Sequence, residues 1–287
     1  MSASKPQVSG RFLSGNGGPL ATVLWQPPPD IACRFAALYL PPAGDEMNKS
    51  RRMAALQARA LASIGGNVAM VDPRGTGDSA GEHIDATWEG WRQDALVAWE
   101  WLQTLAPVPR VLWGLRLGGL LAADLVASGS ITPAALLLWQ PVTSGRTFFN
   151  QFLRLATAQQ LTGGGVDGVS AKALRASLAV GSAIEVAGYD LNPALVAGAE
   201  TVDFGRLSMP ENPIIWRETT IGDPGAISPA AAKVAGGWTQ AGAPVDLACV
   251  NGPSFWATQE IAEAPELITA TTRAVAGLPF AREDPRS

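Results

Sequence analysis

Short apolar runs alternate with longer amphipathic stretches along most of this chain. The runs at residues 21–25, 35–40, 67–71, 110–113, 134–139, 213–216 and 245–250 are blocks rich in aliphatic and aromatic side chains. Blocks of that length with little or no polar face predict strands buried on both sides. Between them, residues 50–63, 87–105, 117–128, 230–241 and 265–276 carry helical spacing or strong helix formers. Within 87–105, Trp88, Trp91, Ala95, Ala98, Trp99 and Leu102 recur every three or four positions, which places them on one face. Those tryptophans are expected to pack in the core. The alternation predicts an α/β protein, a mostly parallel sheet with helices on both faces.

The pattern breaks between residues 145 and 210. Helix-like pieces at 147–161 and 170–180 are split by three glycines at 163–165, and an irregular stretch with Tyr189, Asn192 and Pro193 follows. Such a departure is too long for an ordinary loop. It predicts a helical cap at 145–210, inserted into a core made of 1–144 and 211–287 and placed above the carboxyl edge of the sheet.

Composition narrows the function classes. The 287 residues carry a net charge of −4 and no basic run, so nucleic-acid binding is not expected. The apolar segment 115–126 is too short to span a bilayer and contains Arg116 and Asp124. Residues 1–18 are polar and glycine-rich with no apolar signal core, so a cytoplasmic protein is expected. Cys33 and Cys249 stand alone in apolar surroundings and read as reduced core residues. With one histidine, no P-loop and no G-x-G-x-x-G, neither a metal nor a nucleotide cofactor is expected.

Chemistry concentrates where open parallel sheets place their sites, beyond the carboxyl ends of the strands. Around residue 116 the sequence G-L-R-L-G follows an apolar strand and opens a helix. Gly114, Arg116 and Gly118 fill the fixed positions of G-x-S-x-G, the nucleophile elbow of α/β-hydrolases, with arginine in place of serine. A guanidinium stays protonated and can neither attack a carbonyl nor accept a proton. The preceding loop, P-P-A-G-D-E-M-N-K-S-R-R at 41–52, leaves Ala43 and Gly44 to present a backbone N–H beside that of Leu117. The turn D-P-R-G-T-G-D-S at 72–79 is expected to be structural. Asp223, favoured over Glu218, lies where a triad acid belongs. The base position after the last strand holds Ser254 or Phe255. His83, the sole histidine, precedes the elbow and is expected to be a solvated loop residue rather than a base.

The loop at 41–52, the turn at 72–79, the elbow G-L-R-L-G and the ending G-P-S-F-W resemble the exosortase A system-associated hydrolase 2 family. The resemblance implies an α/β-hydrolase fold and a place in bacterial exopolysaccharide production and exosortase protein sorting. Two roles for Arg116 stay open. It pairs internally with Glu46 or Asp223, or it binds an anionic small molecule, a carboxylate or phosphate, together with Leu117, Ala43 and Gly44 under a cap bearing Phe148, Phe149 and Phe152. The leading expectation is a non-catalytic binding or accessory protein, with a pathway protein as a possible partner. The alternatives are an ester or acyl hydrolase or acyltransferase with an unusual nucleophile or activated water, and a structural partner without ligand.

Overall fold

The computed structural model describes residues 4–162, 170–186, 188–222 and 225–281. In chain order its main elements are β1 (Gln7–Gly15), β2 (Gly18–Gln26), β3 (Phe35–Leu40), α1 (Asp45–Ser63), β4 (Gly66–Val71), α2 (Trp88–Leu105), β5 (Arg110–Leu115), α3 (Leu117–Ala127) and β6 (Ala135–Trp139). There follow α4 (Gly145–Thr162), α5 (Ala171–Ala179), β7 (Ile184–Val186), β8 (Tyr189–Leu191), α6 (Pro193–Glu200), β9 (Ile214–Thr220), α7 (Pro229–Gln240), β10 (Val245–Asn251) and α8 (Pro265–Ala276).

Eight strands form one sheet in the order β1-β2-β4-β3-β5-β6-β9-β10. β1 and β2 are an antiparallel hairpin, β2 joins β4 antiparallel, and every later pairing is parallel. β3, β4 and β6 are buried at every position, as their unbroken apolar runs require. Alternate residues divide between two cores. Leu38, Leu40, Leu112, Leu136 and Leu138 face α2 and α3, while Ala37, Tyr39, Trp113, Leu137 and Trp139 face α1 and α8. On α2, Trp88, Trp91 and Trp99 are buried in the first core as expected. Their polar edges are used too, with Trp88 Nε1 donating to Asp124 (2.9 Å) and Trp91 Nε1 to the Arg74 carbonyl (3.1 Å).

Three features depart from the sequence expectation. β1 is a nine-residue strand within the stretch read only as a polar, glycine-rich N-terminus. The irregular stretch near Tyr189 is the hairpin β7–β8 followed by α6, where the Asn192 side chain caps the helix and Pro193 fills its first turn. Cys33 is only partly buried, whereas Cys249 is in the core as expected. The glycines at 163–165 lie outside the described residues, as does Asp223.

The segment between β6 and β9 packs on α2 through α6, on β9 and α7 through Phe204, and on the loop at 83–85 through that hairpin and the residue after it. Asp190 offers its carbonyl to His83 Nδ1 (2.7 Å), and Asn192 Nδ2 donates to the Ile84 carbonyl (2.6 Å). The turn at 72–79 is structural. Asp72 accepts from Arg51 (3.1 Å) and from the Asp78 N–H (3.3 Å), and Ser79 Oγ closes it on the Asp72 carbonyl (2.5 Å). No helix among the described residues is long and apolar enough to cross a membrane.

Candidate functional site

The site is organised by the bend between β5 and α3. Arg116 sits there with φ 53° and ψ −118°, one of two described non-glycine residues at positive φ. Such a conformation costs about 1–3 kcal/mol and persists only where the surroundings impose it. Here the glycines impose it. A Cβ on Gly114 would lie 2.4 Å from the Gly118 carbonyl oxygen, and one on Gly118 would lie 2.2 Å from the Leu40 oxygen and 2.4 Å from the Pro41 oxygen. The strand, the helix and the β3–α1 loop therefore meet backbone to backbone, and the side chain at 116 is thrown out at the end of the sheet. The backbone is that of a nucleophile elbow; the side chain is not.

What receives the guanidinium is the first turn of α1. Glu46 lies there, where a carboxylate also complements the helix dipole. Arg116 Nε is 3.2 and 3.3 Å from the two Glu46 oxygens, and Nη2 is 3.2 Å from Oε1. Its Nη1 reaches the Gln140 carbonyl at 3.4 Å. The charge also stands 5.4 Å from the Trp256 ring and 6.0 Å from the Phe148 ring, within cation–π range. Both members of the ion pair are largely buried, with side-chain exposures of 21% and 24%. Burial pushes the Glu46 carboxyl above its usual range, and the Arg116 charge and hydrogen bonds pull it partly back. Of the two roles left open for Arg116, the internal pair with Glu46 is formed.

Leu117, at the first position of α3, is fully buried, and its N–H has no acceptor within the helix. Ala43 and Gly44 line a half-open cavity of about 90 Å³ together with Glu46. Its opposite wall is Phe148, Phe149 and Phe152, with Phe148 and Phe152 stacked at 17° and 6.0 Å. The charged groups on the wall, Asp45 and Glu46, are acidic and both are paired, Asp45 with Lys49 at 2.7 Å and Glu46 with Arg116.

Of the two other positions that the sequence assigns to a triad, Phe255 is not brought to Arg116 but packs in the core. Asp223 lies outside the described residues. Glu218, the less favoured acid, is buried and binds Ser228 through both its N–H and its hydroxyl, each at 3.0 Å, which fastens the start of α7. Phe255 is fully buried with its ring 6.0 Å from Trp139 and 5.0 Å from Trp256, so it belongs to the core on the α1/α8 face. Ser254 is exposed. From that loop it is Trp256 that reaches the guanidinium. His83 is also not the solvated loop residue expected. Its ring lines the cavity, packs 5.2 Å from Tyr189, and is held by the Asp190 carbonyl. No sequence signal marks that contact, which joins positions 107 residues apart.

Comparison with known proteins supports this architecture. No family model matches the chain. Over 92 residues it is 36% identical to the lysophosphatidylserine lipase ABHD12 of Danio rerio, a match spanning 31% of this chain and 23% of that protein. Among solved structures, Est1E of Butyrivibrio proteoclasticus with ferulic acid bound superposes with a TM-score of 0.65 at 18% identity, covering 93% of this chain and 98% of that one. An α/β serine hydrolase of Xanthomonas campestris, described as lacking a lid, gives 0.57 at 17% identity over 96% and 94%. Carboxyl esterase 2 of the mycorrhizal fungus Tuber melanosporum gives 0.60 at 17% over 97% and 86%. The chain has the α/β-hydrolase fold, and its structural neighbours include esterases.

Proposed function

We propose that this chain binds a small, largely apolar ligand in the cavity beside its elbow and does not form an acyl-enzyme. The observation that carries the proposal is the occupant of position 116. The elbow backbone is kept, while its side chain is a cation already engaged by Glu46. A serine hydrolase needs a hydroxyl at that point and an imidazole within hydrogen-bond reach of it. Neither Ser254 nor Phe255 supplies one. An anionic ligand, the partner expected from a free guanidinium, would have to displace the Glu46 carboxylate. We therefore place the binding energy in the aromatic wall rather than in charge.

The motifs at 41–52, 72–79, 114–118 and 252–256 support an accessory role in exopolysaccharide production or exosortase sorting, through their resemblance to that family. A second reading, hydrolysis by water activated at Glu46, draws on the burial that raises this carboxyl. Titration calorimetry with a homologous series of alkylbenzenes tests the proposal. Saturable binding at one site, tightening with chain length and weakened at least about tenfold by Phe148→Ala, is expected. Absence of saturable binding across the series overturns it.

A further inference from the structure

His83, which lines the cavity, carries a ring nitrogen with no hydrogen-bond partner among the described residues. His83 Nδ1 lies 2.7 Å from the Asp190 carbonyl, and a carbonyl only accepts, so Nδ1 carries the proton. In the neutral ring that leaves Nε2 as a bare acceptor. Nε2 is screened from solvent and has no hydrogen-bond partner among the described residues. The other polar side chains on the wall have partners, and among them the Tyr189 hydroxyl keeps a proton to donate. Glu46 is held by Arg116, Asp45 by Lys49, and Tyr189 Oη accepts from Asn48 Nδ2 at 3.2 Å. Apart from these groups the wall is aliphatic and aromatic.

We infer that the ligand is an uncharged apolar molecule carrying a hydroxyl, a phenol or a medium-chain alcohol, whose O–H donates to His83 Nε2 while its body lies against Phe148 and Phe152. This rests on the ligand-binding reading above and adds the polar contact that selects among apolar ligands. A buried acceptor without a partner is costly, so a ligand that supplies the donor gains over an isostere that cannot. An ether of the same shape leaves Nε2 as it was. A carboxylate brings a negative charge to a wall that already carries Asp45 and Glu46.

The test compares 4-hexylphenol with 4-hexylanisole by calorimetry on the full chain. The wild type is expected to bind the phenol about five- to tenfold more tightly than the ether, the equivalent of one hydrogen bond. In His83→Phe the two ligands are expected to bind within about twofold of each other. Because the chain has a single histidine, imidazole ¹⁵N spectra report on this ring alone. They are expected to show the Nδ1–H form in the free protein and a shift of Nε2 on adding the phenol but not the ether. These spectra need no variant, so they decide the matter even if His83→Phe fails to fold. Equal saturable binding of phenol and ether to the wild type, or an Nε2 resonance indifferent to the phenol, overturns this inference and leaves the binding function standing. If neither compound binds, both fall.

Discussion

Alanine at position 118 is expected to destabilise the fold by about 3 kcal/mol or more, among the larger effects a single methyl group can have. The added carbon would lie 2.2 and 2.4 Å from the carbonyl oxygens of Leu40 and Pro41, and neither atom belongs to a side chain that can swing away. Relief requires moving the β3–α1 loop off the elbow, which also carries α1 and Glu46 away from Arg116. Urea unfolding measures the loss as a fall in midpoint at constant slope. Gly236→Ala and Gly237→Ala on α7 are the control, because a Cβ at either meets nothing within 4 Å. There alanine is expected to be neutral or to stabilise by about 0.5–1 kcal/mol, through helix propensity and lower entropy of the unfolded chain. A midpoint for Gly118→Ala equal to these controls would mean that strand, elbow and loop are not locked together.

Rebuilding a triad by sequence position is expected to fail twice over. In Arg116→Ser with Phe255→His, the new imidazole replaces a ring with no exposed surface, enclosed by Trp139 and Trp256. Losing that packing and burying unpaired nitrogens costs about 3–5 kcal/mol. The imidazole also lies in the α1/α8 core, so the serine gains no base. Aryl-ester turnover at the buffer background and a lowered thermal midpoint are the expected results. An active double variant would show that residue 255 leaves the core and reaches the elbow.

The fold was legible wherever burial is symmetric. The runs at 35–40 and 265–276 fall on β3 and α8 to the residue, because an uninterrupted apolar block or a strong amphipathic face leaves one solution. β1 was not legible, since as an edge strand it buries little and carries polar residues on both faces. β9 runs four residues beyond its apolar block. Arg217 and Glu218 look like loop residues in sequence, yet both are buried, the first held by Asp246 and the second by Ser228. β7 and β8, at three residues each, are too short for any period to register.

At the site, Arg116 stood out because the glycine spacing around it is a backbone constraint written directly in residue types. Glu46 was one of two acids named for it, and only the fold shows Glu46 paired with the guanidinium. Trp256 in place of its neighbours, and His83 against the Asp190 carbonyl, depend on how loops close in space. Nothing in local sequence specifies that closure.

The absence of an acyl-enzyme is tested most directly by intact-mass measurement of the wild-type chain after exposure to a fluorophosphonate and to an activated aryl ester. The chain is expected to gain no covalent mass from either and to release the aryl alcohol no faster than buffer. Adduct formation at an elbow residue, or turnover that disappears in Glu46→Ala, would contradict the account.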